Sequence, residues 1–197
     1  MILETNRSPR PVGTEHSDYL LELIKEADTS SESAITLGMM YLQGQNVNQD
    51  TYKAIFYFKQ AIEIGEDPFR VHSLLGFLYK RGAPGIKADL WEAAEHFMLA
   101  GGYSDDSWWE AFNLYLNGEI GSDEPLSIKS ALHVLSELRG VKNAYAFYLT
   151  GEIYSKGLYG EVVNLELAHS YYQEAANLGY KDAEVALNDL LREELFN

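Results

Sequence analysis

Between Ser33 and Leu42 the residues Ala34, Leu37, Gly38 and Tyr41 stand at i, i+3, i+4 and i+7, the spacing that collects side chains on one stripe of an α-helix. The segment therefore predicts a helix with that stripe buried. Gly44 follows the tyrosine by three residues and suits the left-handed conformation that ends a helix. Asp50 then offers a side-chain oxygen to cap a second helix, whose large apolar residue, Phe58, lies four positions after Ala54. Helix, turn and antiparallel helix make the predicted unit.

The unit recurs. Tyr41, Tyr79, Tyr115 and Tyr154 are 38, 36 and 39 residues apart, and each is followed three residues on by a glycine (Gly44, Gly82, Gly118, Gly157). Three of the tyrosines also follow a glycine at the same interval: Gly38, Gly76 and Gly151. The sets Asp50/Ala54/Phe58, Asp89/Ala93/Phe97, Ser127/Ala131/Leu135 and Asn164/Ala168/Tyr172 mark the second helices. A period of this length is the signature of stacked repeats, each burying its apolar face only against its neighbours. A mid-helix glycine costs roughly 1 kcal/mol relative to alanine, so its recurrence predicts a close approach, expected here from a neighbouring backbone. The third copy has Phe112 in place of that glycine and a longer inter-helix loop, Glu119–Leu126, which predicts locally different packing.

These features resemble the Sel-one-like repeat (SLR) family, a relative of the tetratricopeptide repeats. The best copies are Glu32–Gly65 and Ala146–Tyr180; His72–Gly102 is also clear and Trp108–Gly140 departs most. The resemblance implies an all-α fold, a right-handed α-solenoid of four helix-turn-helix repeats over 32–65, 71–102, 107–140 and 144–180. Ser17–Asp28 reads as an unpaired leading helix. Residues 181–195 read as a closing, capping helix whose Glu184, Asp189, Arg192, Glu193 and Glu194 supply a polar outer face. Residues 1–16, with Pro9 and Pro11, are expected to form a flexible tail beside a single domain, 17–197.

For function the resemblance implies a non-enzymatic adaptor or scaffold, holding a partner protein or peptide in a concave groove lined by the first helices. Some bacterial members neutralise toxins encoded beside them, so an immunity protein acting on a cognate toxin is the alternative. A secreted branch of the family carries a disulfide in every repeat; this chain has no cysteine and departs from it.

Composition narrows the partners. The chain has 197 residues with 15 Lys+Arg against 30 Asp+Glu, a formal charge of −15. That charge repels phosphate backbones and anionic headgroups, so neither nucleic acid nor a membrane surface is an expected partner, and a basic protein is. The lack of cysteine excludes thiol nucleophiles and Cys-based zinc sites. No apolar run reaches the length of a signal peptide or a membrane span, which makes the cytoplasm the expected compartment.

The charge is unevenly spread. From Ala88 to Ile128 there is no Lys or Arg, nine acids (Asp89, Glu92, Glu95, Asp105, Asp106, Glu110, Glu119, Asp123 and Glu124), and all three tryptophans, Trp91, Trp108 and Trp109. An acidic surface with embedded aromatics would steer a basic chain and grip it by stacking and cation–π contact. Trp108 aligns with Ala34 and is expected in the core. Trp109 and Glu110 align with Ile35 and Thr36, off the main stripe, while Asn113, Met39, Met40 and Phe77 fall between the repeat positions on the first helices. With Asp105 and Asp106 these are the expected partner-binding residues.

Catalytic readings find little support. His16, His72, His96, His133 and His169 share no metal-ligand spacing. Asp105–Asp106 and Asp123–Glu124 do not fit a calcium loop, and Gly101–Gly102 and Gly118–Gly121 lack the lysine and strand of a phosphate-binding loop. No enzymatic activity, cofactor or metal is expected.

Overall fold

The structure, a computed structural model, describes residues 15–102, 104–117 and 128–196. It is all-α. Ten α-helices follow one another among the described residues: α1 (Glu15–Glu26), α2 (Ser31–Gln43), α3 (Thr51–Ile64), α4 (Pro68–Arg81), α5 (Leu90–Ala100), α6 (Asp105–Asn117), α7 (Ile128–Gly140), α8 (Ala144–Lys156), α9 (Leu165–Asn177) and α10 (Lys181–Phe196). The main helix contacts run between consecutive elements, the arrangement of a stacked array. Helices α2/α3, α4/α5, α6/α7 and α8/α9 are the four repeat pairs, with α1 and α10 at the two ends. The expected tail, the loop Glu119–Leu126, and the Gly118 and Ser127 positions lie outside the described residues.

Local chemistry sets the boundaries. Asp50, Asp89 and Asn164 accept backbone N–H bonds from Lys53, Glu92 and Leu167 at 2.9–3.0 Å, capping α3, α5 and α9. Each of these caps also donates its own N–H to the carbonyl of its repeat's tyrosine, Tyr41, Tyr79 or Tyr154, at 2.8–2.9 Å. One bond thus closes the inter-helix loop in the same way three times. Gly44 and Gly157 end α2 and α8 at φ of 69° and 65°. Gly82 instead takes φ 71° with ψ 172°, sending the chain into a short hairpin closed by Ala83 and Ile86.

The repeat positions fill the core: Ala34, Leu37, Ala54, Phe58, Leu75, Ala93, Phe97, Ala131, Leu135 and Ala168 are almost wholly buried. The mid-helix glycines correct one expectation. What lies against Gly38, Gly76 and Gly151 is an aromatic ring from the second helix of the same repeat, not a backbone. A β-carbon there would stand 2.5 Å from the Phe58 ring, 2.7 Å from Phe97 and 2.5 Å from Tyr172. Trp108, as expected, packs against the core of the third repeat; its indole occupies the space a side chain at Gly101 would need. The core divides into three clusters, over α1–α4, α5–α8 and α8–α10, with Tyr79 packed against both of the first two.

Candidate functional site

The first helices α2, α4, α6 and α8 and the closing α10 are tied to one another in order, each neighbouring pair by polar or aromatic contacts. Arg70 on α4 meets Glu32 on α2 at 2.9 Å, and Lys80 on α4 meets Glu110 on α6 at 2.5 Å. Asn143, the cap of α8, donates to Asp105 on α6 at 2.8 Å. Tyr148 on α8 lies 5.0 Å, centre to centre, from Tyr180 at the start of α10.

Between α4 and α6 this face opens into a cavity of about 490 Å3, lined by Ser73, Phe77, Ser104, Asp106, Ser107, Trp109, Glu110 and Asn113. Five of the eight expected contact residues are therefore brought together. Phe77 is 41% exposed, with its ring edge-on to Phe97 at 4.9 Å and the Arg81 guanidinium 5.9 Å from its centre. Trp109 is half-buried against Phe112 and Tyr145, at 5.5 and 5.1 Å. Two apolar rings thus flank a set of polar groups that includes an exposed carboxylate, Asp106, and an exposed amide, Asn113.

The other three expected residues go elsewhere. Asp105 is held by Asn143, outside the cavity. Met39 is half-buried on α2. Met40 is 7% exposed and belongs to the core; it follows Leu37 by three residues, which returns it to the buried stripe.

Nor do the nine acids make one surface. Asp89 caps α5, Glu95 accepts from the Tyr115 hydroxyl at 2.5 Å, and Glu110 is paired with Lys80. Glu119, Asp123 and Glu124 lie outside the described residues. The tryptophans likewise separate: Trp91, on a second helix, meets Tyr115 edge-on at 5.8 Å, Trp108 packs on Gly101, and Trp109 alone lines the cavity. The charged residues that line the α4–α6 cavity, Asp106 and Glu110, are acidic, but α4 borders it with two cations that the Ala88–Ile128 window does not supply, Lys80 on Glu110 and Arg81 over the Phe77 ring.

Two constellations were missed in the sequence. His72 on α4 and His96 on α5 meet Nδ1 to Nδ1 at 2.9 Å, with Tyr79 stacked on His96 at 5.5 Å. Burial lowers the pKa of both; for His96, burial first and then His72 and Lys59 bring it to about 4. Their separation of 24 residues matches no metal spacing, but His72 occupies the Ala34 position and His96 directly precedes the Phe97 position, columns that also meet in the fourth repeat, where Phe147 and Tyr171 lie 6.4 Å apart. The second is a tyrosine cluster, Tyr145, Tyr148, Tyr172 and Tyr180, with neighbouring ring centres 5.0 to 6.3 Å apart. Tyr145 and Tyr148, three apart on one helix, were the visible signal. Among the described residues no group of three or more His, Asp or Glu is placed to hold a metal ion, and no helix is long and apolar enough to cross a membrane.

Consecutive helix pairs with a grooved first-helix face define an α-solenoid of the kind that carries interaction surfaces. Residues 31–66, 72–100 and 144–180, more than half of the chain, match the Sel1 repeat; the chain belongs to the Sel1 repeat family, whose arrays generally act as protein-interaction scaffolds and are typically non-catalytic. The third pair, α6/α7, goes unmatched yet forms in register with the others. A crystal structure of a Sel1 repeat protein from Oxalobacter formigenes is similar over 90% of this chain and 51% of its own, at 20% identity and a TM-score of 0.69. The structure of c5321, a protective antigen of uropathogenic Escherichia coli strains with an SLR fold, aligns over 91% of this chain and 45% of its own, at 18% identity and a TM-score of 0.44. This chain spans about half the length of these solved proteins. No curated protein matches it.

Proposed function

We propose that the protein is an adaptor that binds a partner polypeptide on its first-helix face, with the α4–α6 cavity as the principal contact. The observation that carries this reading is the convergence of Phe77, Asp106, Trp109, Glu110 and Asn113 around one open cavity of about 490 Å3. Two half-exposed rings beside hydrogen-bonding groups have the make-up of an interaction hot spot, an apolar anchor point rimmed by polar contacts. Phe77 and Trp109 would take an apolar side chain of the partner, and Asp106 and Asn113 would orient its backbone or polar groups. The Lys80–Glu110 pair tempers electrostatic attraction at this point, so contact here depends on apolar burial more than on opposite charge, and binding should survive added salt.

The test is capture from a lysate of the source organism by wild-type protein and by Asn113→Arg. Asn113 is exposed and outside the core, so the arginine obstructs the cavity without disturbing packing, and unchanged helicity and melting confirm that. We expect one protein retained by the wild type in both low and high salt and lost with Asn113→Arg. Equal retention by both would remove the α4–α6 cavity from the interface.

A further inference from the structure

A second cleft opens on the same face between α8 and α10. Its cavity of about 410 Å3 is walled by Tyr148 and Tyr172 on one side and by Val185 and Leu190 on the other. Three carboxylates border it, Glu152, Asp182 and Asp189, against one cation, Lys156. Glu152 is fully engaged: one oxygen lies 2.6 Å from the Lys156 ammonium and the other accepts the Tyr172 hydroxyl at 3.1 Å. Asp189 has an exposed partner, Arg192, at 3.7 Å. Asp182 is exposed and has no cation within ion-pair distance among the described residues.

The aromatic groups beside Asp182 are unusually dense. Tyr180 precedes it by two residues, and the Tyr180 ring lies 5.0 Å from Tyr148 and 5.5 Å from Tyr145. The hydroxyls register the negative surroundings: burial first, and then Glu152 and Asp182 among other neighbours, raise Tyr148, while burial and Asp182 raise Tyr180. This is the pairing of carboxylate and ring face that the sequence led us to expect at Asp105–Glu110, and it occurs some forty to seventy residues later on the chain.

A carboxylate that has no ion-pair partner among the described residues, only the neighbouring Tyr180 phenol, and that lies beside a cluster of tilted rings suits a guanidinium better than an ammonium. The guanidinium is planar, lies flat on an aromatic face and offers two parallel N–H groups to one carboxylate. We propose that the α8–α10 cleft receives an arginine side chain of the partner polypeptide, its guanidinium bridged to Asp182 and laid against the Tyr148 ring that walls the cleft and is backed by Tyr180. The inference deepens the adaptor reading and rests on the first-helix face being the interaction surface; it adds a charged anchor to the apolar one between α4 and α6.

The experiment is a titration of the full-length, nitrogen-labelled protein with N-acetyl-arginine-methylamide, followed by amide chemical shifts, and a parallel titration with the uncharged citrulline analogue. Saturable shifts at Tyr148, Glu152, Asp182 and Ala186 are expected with the arginine compound, and binding of citrulline about tenfold weaker or less. Asp182→Asn should weaken arginine binding about fivefold or more, while Glu63→Gln, which removes the same charge from the exposed face of α3, should leave it unchanged. Equal binding of citrulline, shifts scattered over the acidic surface without saturation, or an unaltered affinity in Asp182→Asn would each overturn the proposal. The readout concerns this cleft alone, so its failure leaves capture at the α4–α6 cavity standing, and loss of that capture leaves a positive titration intact.

Discussion

Gly38, Gly76 and Gly151 each lie under a buried ring, Phe58, Phe97 and Tyr172. Size is moved from the first helix to the second, and the third repeat reverses the exchange: Phe112 stands at the glycine position and Leu135 at the aromatic one, both in one cluster. Alanine at Gly38 gains roughly 1 kcal/mol of helix propensity but drives a methyl group into a ring that is wholly buried and has nowhere to turn. Overpacking of that kind costs about 1–3 kcal/mol, so Gly38→Ala should destabilise on balance. In a Phe58→Leu background the same change should cost at least about 0.5 kcal/mol less, measured by denaturant unfolding of the four-member cycle. Additive effects would mean that the ring and the glycine are not coupled. The sequence announced a close approach at these glycines; the identity of the neighbour was legible only by comparing columns, since both change together in the third copy.

Within a helix pair, the repeat tyrosine stacks on the residue just before the buried aromatic. Tyr41 stacks on Tyr57 and Tyr154 on Tyr171, both at 5.7 Å, and Tyr79 on His96 at 5.5 Å. The third repeat has Val134 there, and Tyr115 instead buries itself and donates to Glu95 on the preceding pair. In the second repeat this packing surrounds the His72–His96 contact, where a proton on His96 would be repelled by His72 and by Lys59 on α3. With its folded pKa at about 4 against an ordinary 6.5, His96 stays neutral in the folded chain while the unfolded chain takes up a proton. Its contribution is therefore present above about pH 6.5 and is lost progressively as the pH falls toward 4. Melting temperature should drop between pH 6.5 and 4.5 more steeply in the wild type than in His96→Phe; parallel curves would show that the pair does not titrate this way. Caps and helix starts were readable from single residues, because a cap acts on its own turn. The histidine contact was not, because it depends on two helices closing on each other.

Across the whole molecule, three core clusters run in sequence order beneath one face on which the first helices are joined pair by pair. The sequence pointed to that face and to five residues that share its α4–α6 cavity, since positions between the buried columns project outward by helical geometry alone. It did not show that Lys80 would neutralise Glu110, or that Met40 would fold back into the core. Charge along the chain is a poor guide to charge on a surface assembled from residues thirty apart. With both proposed anchors on one face, partner contact is confined to the first helices and the closing helix α10. Photo-crosslinking tests this most directly, with p-benzoylphenylalanine placed at Ser73 or Asn113 on the first-helix face and at Glu63 or Gln173 on exposed second-helix positions. In source lysate one common adduct is expected from Ser73 and Asn113 and none from Glu63 or Gln173. An adduct formed mainly from the second-helix positions would contradict that confinement.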